Sequence, residues 1–308
     1  MSNFKLIPLT DKWMTRSKIH FPRKPSYYPS EASAIWIDAG GQKRVAGTCM
    51  RASWLRVTEK AKEYVLLSDP HTEWIFALGK AVEQILVEQY KEMGIWVANN
   101  VEFYDPVRKI SGEVDVIINE PGTDKLVGVE VKSFFGYNAT KEICGNKGQV
   151  GSPKTSQLLQ TLVYVDQLKD KIAYFKMIYY ARDSAKRKEF NITLTKDGSI
   201  RRPTVDGIVD HRFTMEDIYS RYDELDWYVQ NDAMPAMDFE PILSTETVEM
   251  RKSIGEVSKT AYDKWKKNPK KYPIMSWQCS YCRYKQVCAK LSGNTDLITS
   301  IEDDEEEE

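Results

Sequence analysis

The chain has 308 residues, 42% of them hydrophobic and 11% aromatic, which is enough to bury a sizeable core. No run approaches the roughly eighteen apolar residues of a membrane span, and MSNFKLIPLTDKW at the start has no apolar signal core, so a cytoplasmic, membrane-free protein is expected. The 44 basic and 45 acidic residues nearly cancel, but seven of the acids form the terminal EDDEEEE; the rest holds 44 basic against 38 acidic residues, a modest excess compatible with a polyanionic partner.

In chain order, residues 1–48 match no nameable pattern and are read as an N-terminal extension. Residues 71–93 place Trp74, Leu78, Val82, Ile85 and Leu86 at helical spacing with polar residues between them, which predicts a helix. Residues 96–104 and 112–119 read as strands, EPGTDK as a turn, and 126–133 as a third strand, so a hairpin is expected. A helix over 155–169, strands at 172–180 and 187–195 with the turn KDGS, and helices at 215–230 and 246–267 follow. The pattern is α/β. Residues 291–308 end in a self-repelling acidic run and are expected to be a disordered tail.

The hairpin carries the chemistry. Alternate strand residues share a face, so Glu130 and Lys132 project together, and Asp115 on the adjoining strand reaches the same spot. Two carboxylates in a half-buried place repel, and burial of unpaired charge is costly, so the cluster calls for a cation. Mg²⁺ or Mn²⁺ prefers carboxylate, carbonyl and water oxygens, and a lysine alongside can orient or deprotonate the attacking water in phosphodiester hydrolysis. The plainer reading of the same residues is an exposed Glu–Lys pair.

GEVDVII (112–118) and VGVEVKS (127–133) resemble the core of the PD-(D/E)XK nucleases, with Asp115 as the first acid and Glu130-Val131-Lys132 as the ExK element. GKAVE (79–83) is similar to the GxxxH helix motif of the RecB-like exonucleases, with Glu83 in place of His. QTLVY (160–164) resembles their QxxxY motif, and the order of the motifs is the family's own. The resemblance implies a restriction-endonuclease-like fold with a mixed sheet flanked by helices, catalytic roles for Asp115, Glu130, Lys132, Gln160 and Tyr164, and Mg²⁺ or Mn²⁺ held by Glu83, Asp115, Glu130 and Val131. Gln160 and Tyr164 share a helix face and are expected to hydrogen-bond the lysine or a DNA phosphate, with Gln157 one turn earlier able to share the role.

Of the five cysteines, Cys279, Cys282 and Cys288 fall in CSYCRYKQVC as C-x2-C-x5-C, Cys49 stands alone some 230 residues upstream, and Cys144 reads as a buried free thiol. They are too few and too uneven for a secreted disulfide scaffold. The arrangement resembles the iron-sulfur staple of RecB-like nucleases, among them CRISPR-associated exonucleases and bacterial helicase-nuclease subunits, and implies a 4Fe-4S cluster with structural work at these four residues; four thiolates also suit Zn²⁺. A nuclease domain over 49–290 closed by that staple is the implied organisation. His20, His71 and His211 have no ligand spacing, and no P-loop is present. Lys264, Lys266, Lys267, Lys270 and Lys271 interleave with Trp265 and Tyr272, either a phosphate track or a solvated helix end.

The expected function is a metal-dependent DNA exonuclease of recombination, repair or DNA processing. Its expected partner is DNA, as a single strand or an end, with a helicase or recombination protein alongside. The alternatives are a structure-specific endonuclease and a catalytically silent DNA-binding adaptor.

Overall fold

The computed structural model describes residues 6–15, 26–60 and 70–291. The acidic tail lies outside them. In chain order the elements are α1 (Leu6–Met14), β1 (Ser33–Ile37), β2 (Lys43–Gly47), α2 (Met50–Val57), α3 (Pro70–Glu92), β3 (Trp96–Asp105), β4 (Ile110–Asn119), β5 (Leu126–Phe134) and α4 (Tyr137–Cys144). There follow α5 (Thr155–Gln167), β6 (Tyr174–Ala181), β7 (Arg187–Asp197), β8 (Ile200–Val205), β9 (Ile208–Val209), α6 (Met215–Gln230), α7 (Thr245–Ser253), α8 (Lys259–Lys267), α9 (Trp277–Ser280) and α10 (Lys285–Leu291). Two compact units result: Met1–Gly47 with Leu67–Asp226, and Thr48–Leu66 with Trp227–Glu308.

The first unit is built on a seven-stranded sheet ordered β3-β4-β5-β6-β7-β8-β9. All its neighbours are antiparallel except β5 and β6, so the sheet is mixed and the chain must cross over between those two strands. That crossover contains α4 and α5. At the centre, Gly128 is held to a hydrogen by the sheet itself: a Cβ there would lie 2.3 Å from the fully buried Phe175 ring.

Helix α5 is buried on nearly every side, through Leu158, Leu159, Leu162, Val163 and Val165 among others. A helix apolar all round needs cover on both faces. One face lies on the sheet; β1, β2 and the short turn Pro29–Glu31 pack against the helix as well, so part of the expected N-terminal extension is core packing for this unit. The rotation of α5 is fixed near its end by Asp166, which accepts from Tyr219 at 2.7 Å and from Arg201 at 2.5 Å. Burial alone would raise the Asp166 carboxyl, but those two partners hold it below its ordinary value.

Helix α3 forms where expected, with most of its apolar stripe outside the core. Of the apolar stripe, Leu86 is buried and Val82 half-buried, while Trp74, Leu78 and Ile85 are exposed. Gly79 faces Ser133 on β5, where an added Cβ would make ordinary contact at 3.4 Å. The face carrying Gly79, Glu83, Val87 and Tyr90 lies toward the sheet, and Val87 joins Val116, Ile118, Val127 and Val129 in a core cluster with Tyr90 packed on it.

In the second unit the helix expected over 246–267 is two. It breaks after Ser253, where Gly255 turns the chain at φ +80°, and restarts at Ser258, whose hydroxyl accepts from the amide of Ala261. Leu243, Val248 and Trp265 form a core of their own there. Among the described residues, no helix is long and apolar enough to cross a membrane.

Candidate active site

The site begins where the hairpin opens. Strands β4 and β5 pair from Asn119 and Leu126 up to Val116 and Val129, and there the ladder stops, while β5 stays paired to β6 as far as Phe134. The next residues on each strand are Asp115 and Glu130. Beyond the split the amide of Val131 has no β4 carbonyl to meet, and Asp115 Oδ2 accepts it instead at 2.8 Å. The parting of the strands therefore aims the first acid at the second.

Glu130 is 1% exposed at its side chain. Its Oε1 is met by Lys132 Nζ at 2.5 Å and by Gln160 Nε2 at 3.0 Å, whereas Oε2, equally buried, has no hydrogen-bond partner in the chain. Gln160 also accepts from Lys132 at 3.1 Å and donates to the Tyr164 hydroxyl at 3.0 Å. Burial, then the charge of Glu130, pushes Asp115 up to about 8. Burial would lower Lys132, but the charge of Glu130, its hydrogen bond and the charge of Asp115 outweigh it, and the ammonium holds its proton more tightly than usual.

Glu83 approaches from α3. Its side chain is 13% exposed and pairs with Lys80 at 2.6 Å, and its charge acts on both Asp115 and Lys132. Lys80, inside the quoted motif but given no role, also feels Asp115. The sequence signal was there, since Gly79 and Glu83 lie four apart and Lys80 rides beside them.

Tyr164 and Gln157 have partners of their own on the same helix and sheet. Tyr164 is 4% exposed, its ring between Phe103 at 5.7 Å and Phe175 at 6.0 Å, and its hydroxyl accepts from Gln160. Gln157 accepts from Tyr179 at 2.8 Å, a hydroxyl that the charge of Glu130 reaches. Val131 takes part through its backbone, its side chain packing on the Val87 cluster. Gln160→Ala is expected to loosen Glu130 and Lys132 together and to weaken Mn²⁺ binding about 10- to 100-fold, the usual cost of removing a group that orients ligating side chains; calorimetric titration with Mn²⁺ checks this.

The donor set fits a hard divalent cation. A buried carboxylate oxygen without a partner, a second acid whose proton affinity is raised by burial and then by the first, and a third acid within range are the features such an ion would relieve.

The second unit holds the cysteines. Cys49, Cys279, Cys282 and Cys288 line one pocket of about 40 Å³ with Leu55, Met237 and other largely apolar neighbours. Burial and the nearness of the other three thiols push Cys279 up to about 12. Arg51, 9% exposed, donates to the Pro235 carbonyl at 2.8 Å and to Cys288 Sγ at 3.7 Å. Four sulfurs around one cavity with a buried cation beside them suit a thiolate-bound centre in composition, although among the described residues no three or more His, Cys, Asp or Glu groups converge as a metal centre. Cys144 lies apart on α4 in the first unit, half-buried and free. The lysines of α8 stay exposed around a buried Trp265, which excludes that ring from base stacking.

No protein-family model and no curated protein matches this chain. Among solved structures, one described as the crystal structure of SSO0001 is similar over 93% of this chain and 98% of its own length, at 13% identity and a TM-score of 0.44. A likeness of that degree leaves the functional reading to the site.

Proposed function

We propose that this protein is a Mg²⁺- or Mn²⁺-dependent DNA exonuclease of the RecB-like PD-(D/E)XK type, with a restriction-endonuclease-like core in its first unit and an iron-sulfur or zinc centre at Cys49, Cys279, Cys282 and Cys288. The observation that carries the reading is the unpartnered, buried Oε2 of Glu130 between Asp115 and Lys132.

Asp115, Glu130 and Glu83 are the side chains that would hold the divalent ion, with the Val131 carbonyl beside them. When bound, such an ion supplies a Lewis acid for the phosphate and acidifies water. The protein's own groups do the rest. Lys132 directs two of its three N–H groups to Glu130 and Gln160, which leaves the third to orient the attacking water or a phosphate oxygen. Gln160, braced by Tyr164, keeps Glu130 and Lys132 in register through both amide atoms. The raised proton affinity of Lys132 favours donation over abstraction of a proton.

The test compares a covalently closed single-stranded circle with the same DNA linearised and labelled at either terminus, in Mg²⁺ or Mn²⁺. Degradation of the linear form alone is expected, and the label released first gives the polarity. Rapid cutting of the circle establishes the endonuclease instead, and cleavage of neither form leaves the silent adaptor.

A further inference from the structure

The segment between β5 and α5 takes no part in the chemistry above. Directly beyond β5 stand two large aromatic side chains, Phe135 and Tyr137, 68% and 76% exposed. They are held on a fixed turn. Gly136 between them reverses the chain at φ +91°, its amide donates to Asp183 at 3.0 Å, and the Arg182 amide donates to the Phe134 carbonyl at 2.8 Å. The loop after α4 is packed just as tightly, since a Cβ on Gly151 would fall 2.0 Å from the carbonyl oxygen of Ile143. Between helix and loop runs a groove of about 480 Å³ lined by Asn138, Lys141, Glu142, Gln149, Val150 and Ser152, of a size that admits a nucleotide.

Its position matters. Ligands of sheets with parallel strands gather beyond the strands' carboxyl ends, where a crossover leaves the sheet, and β5 is the strand that carries Glu130 and Lys132 into that end. Phe135 follows Lys132 by three residues, about 10 Å at strand rise or about three stacked nucleotides, and by the alternation of β5 it leaves the sheet on the face of Val131 and Ser133, the α3 side from which Glu83 acts on Asp115. Exposed rings next to lysines are the elements of single-strand binding, in which rings take base faces and cations take phosphates. Lys141 and Lys147 are both exposed on this segment. A duplex offers no free base face, and two rings beside a polar groove are a poor match for an apolar protein surface.

We propose that Phe135 and Tyr137 form a stacking platform for unpaired bases of a single DNA strand next to the bond being cut, with Lys141 on an intervening phosphate. This deepens the nuclease reading and rests on it for the strand's direction, but binding can be measured without turnover. The experiment titrates the full-length protein, in EDTA, with a fluorescently labelled 16-mer of thymidylate and with a hairpin duplex of equal length. Phe135→Ala and Tyr137→Ala are each expected to weaken single-strand binding about tenfold, with Tyr137→Phe retaining affinity and the salt slope unchanged. Lys141→Ala is expected to lower that slope by about 0.7. Duplex binding stays level across the ring variants. With Mn²⁺, the parent and the ring variants hydrolyse thymidine 5′-p-nitrophenyl phosphate, too short to span the platform, at equal rates. Single-strand affinity untouched by both alanine variants, or an equal loss on the duplex, overturns the platform. Inactivity of the parent on every substrate overturns the nuclease reading while the binding comparison still decides the platform.

Discussion

Asp115→Asn is expected to abolish metal-dependent DNA hydrolysis, by about a thousandfold or more, and at the same time to raise the melting temperature of the metal-free protein. The two effects share a cause. Asp115 is pushed up to about 8 by burial and by Glu130, so its charge is unwelcome in the fold until a cation arrives. Asparagine keeps an oxygen for the Val131 amide and discards that charge. A gain of about 2–4 °C corresponds to 1 kcal/mol in a domain of about 150–250 residues. The sign with pH follows. The folded carboxyl binds its proton more tightly than the unfolded one, so metal-free stability falls as pH rises from the ordinary carboxylate range toward about 8, and Asp115→Asn removes that slope. Glu130→Ala makes the contrast, losing activity and stability together because Lys132 is left half-buried without its carboxylate. Melting curves in EDTA at pH 5.5 and 8.5, beside hydrolysis in Mn²⁺, check all three; hydrolysis surviving in either variant, or a lower melting temperature for Asp115→Asn, rejects this assignment.

The second large effect belongs to the cysteines. Protein purified without oxygen is expected to be brown and to contain iron and sulfide, and Cys282→Ala to lose both and to melt about 10 °C lower or more, because the free energy of a thiolate-bound centre is folding free energy. The centre would join Cys49 to a segment some 230 residues later within one unit, closing a loop that weak contacts close at a large entropic cost. Zinc without sulfide rejects the cluster and keeps the staple, and protein as stable as the parent after Cys282→Ala rejects both.

Where local chemistry decides the structure, the sequence was readable. Alternation around Asp115 and Glu130, a Pro-Gly turn between them, and the 3.6-residue period of 155–169 each encode an element, and those elements formed within a few residues of expectation. What escaped was decided by neighbours. The pair β1 and β2 is short and owes its burial to α5, a partner over a hundred residues away. The buried face of α3 is the one carrying Gly79 and Val87 and not the one with most of its largest side chains. The break in 246–267 was written in Gly255 and Ser258 but masked by helix-forming residues on either side. In the candidate site, residue types and order were legible, while the bracing of Gln160 by a sequestered Tyr164 required the packing of Phe103 and Phe175.

The early parting of β4 from β5 also constrains what evolution can do with this chain. Past Val129 the backbone of β5 leans on a carboxylate for an acceptor that a neighbouring strand would ordinarily supply. On the nuclease reading proposed above, a lineage that gave up cleavage would not be free to erase Asp115 at random, since most replacements would uncap β5 where β4 leaves it. Asparagine is the cheap exit. Inactive descendants that keep this architecture are therefore expected to carry Asn at that position far more often than Ala or Gly, a fossil of catalysis preserved for the sake of a single amide.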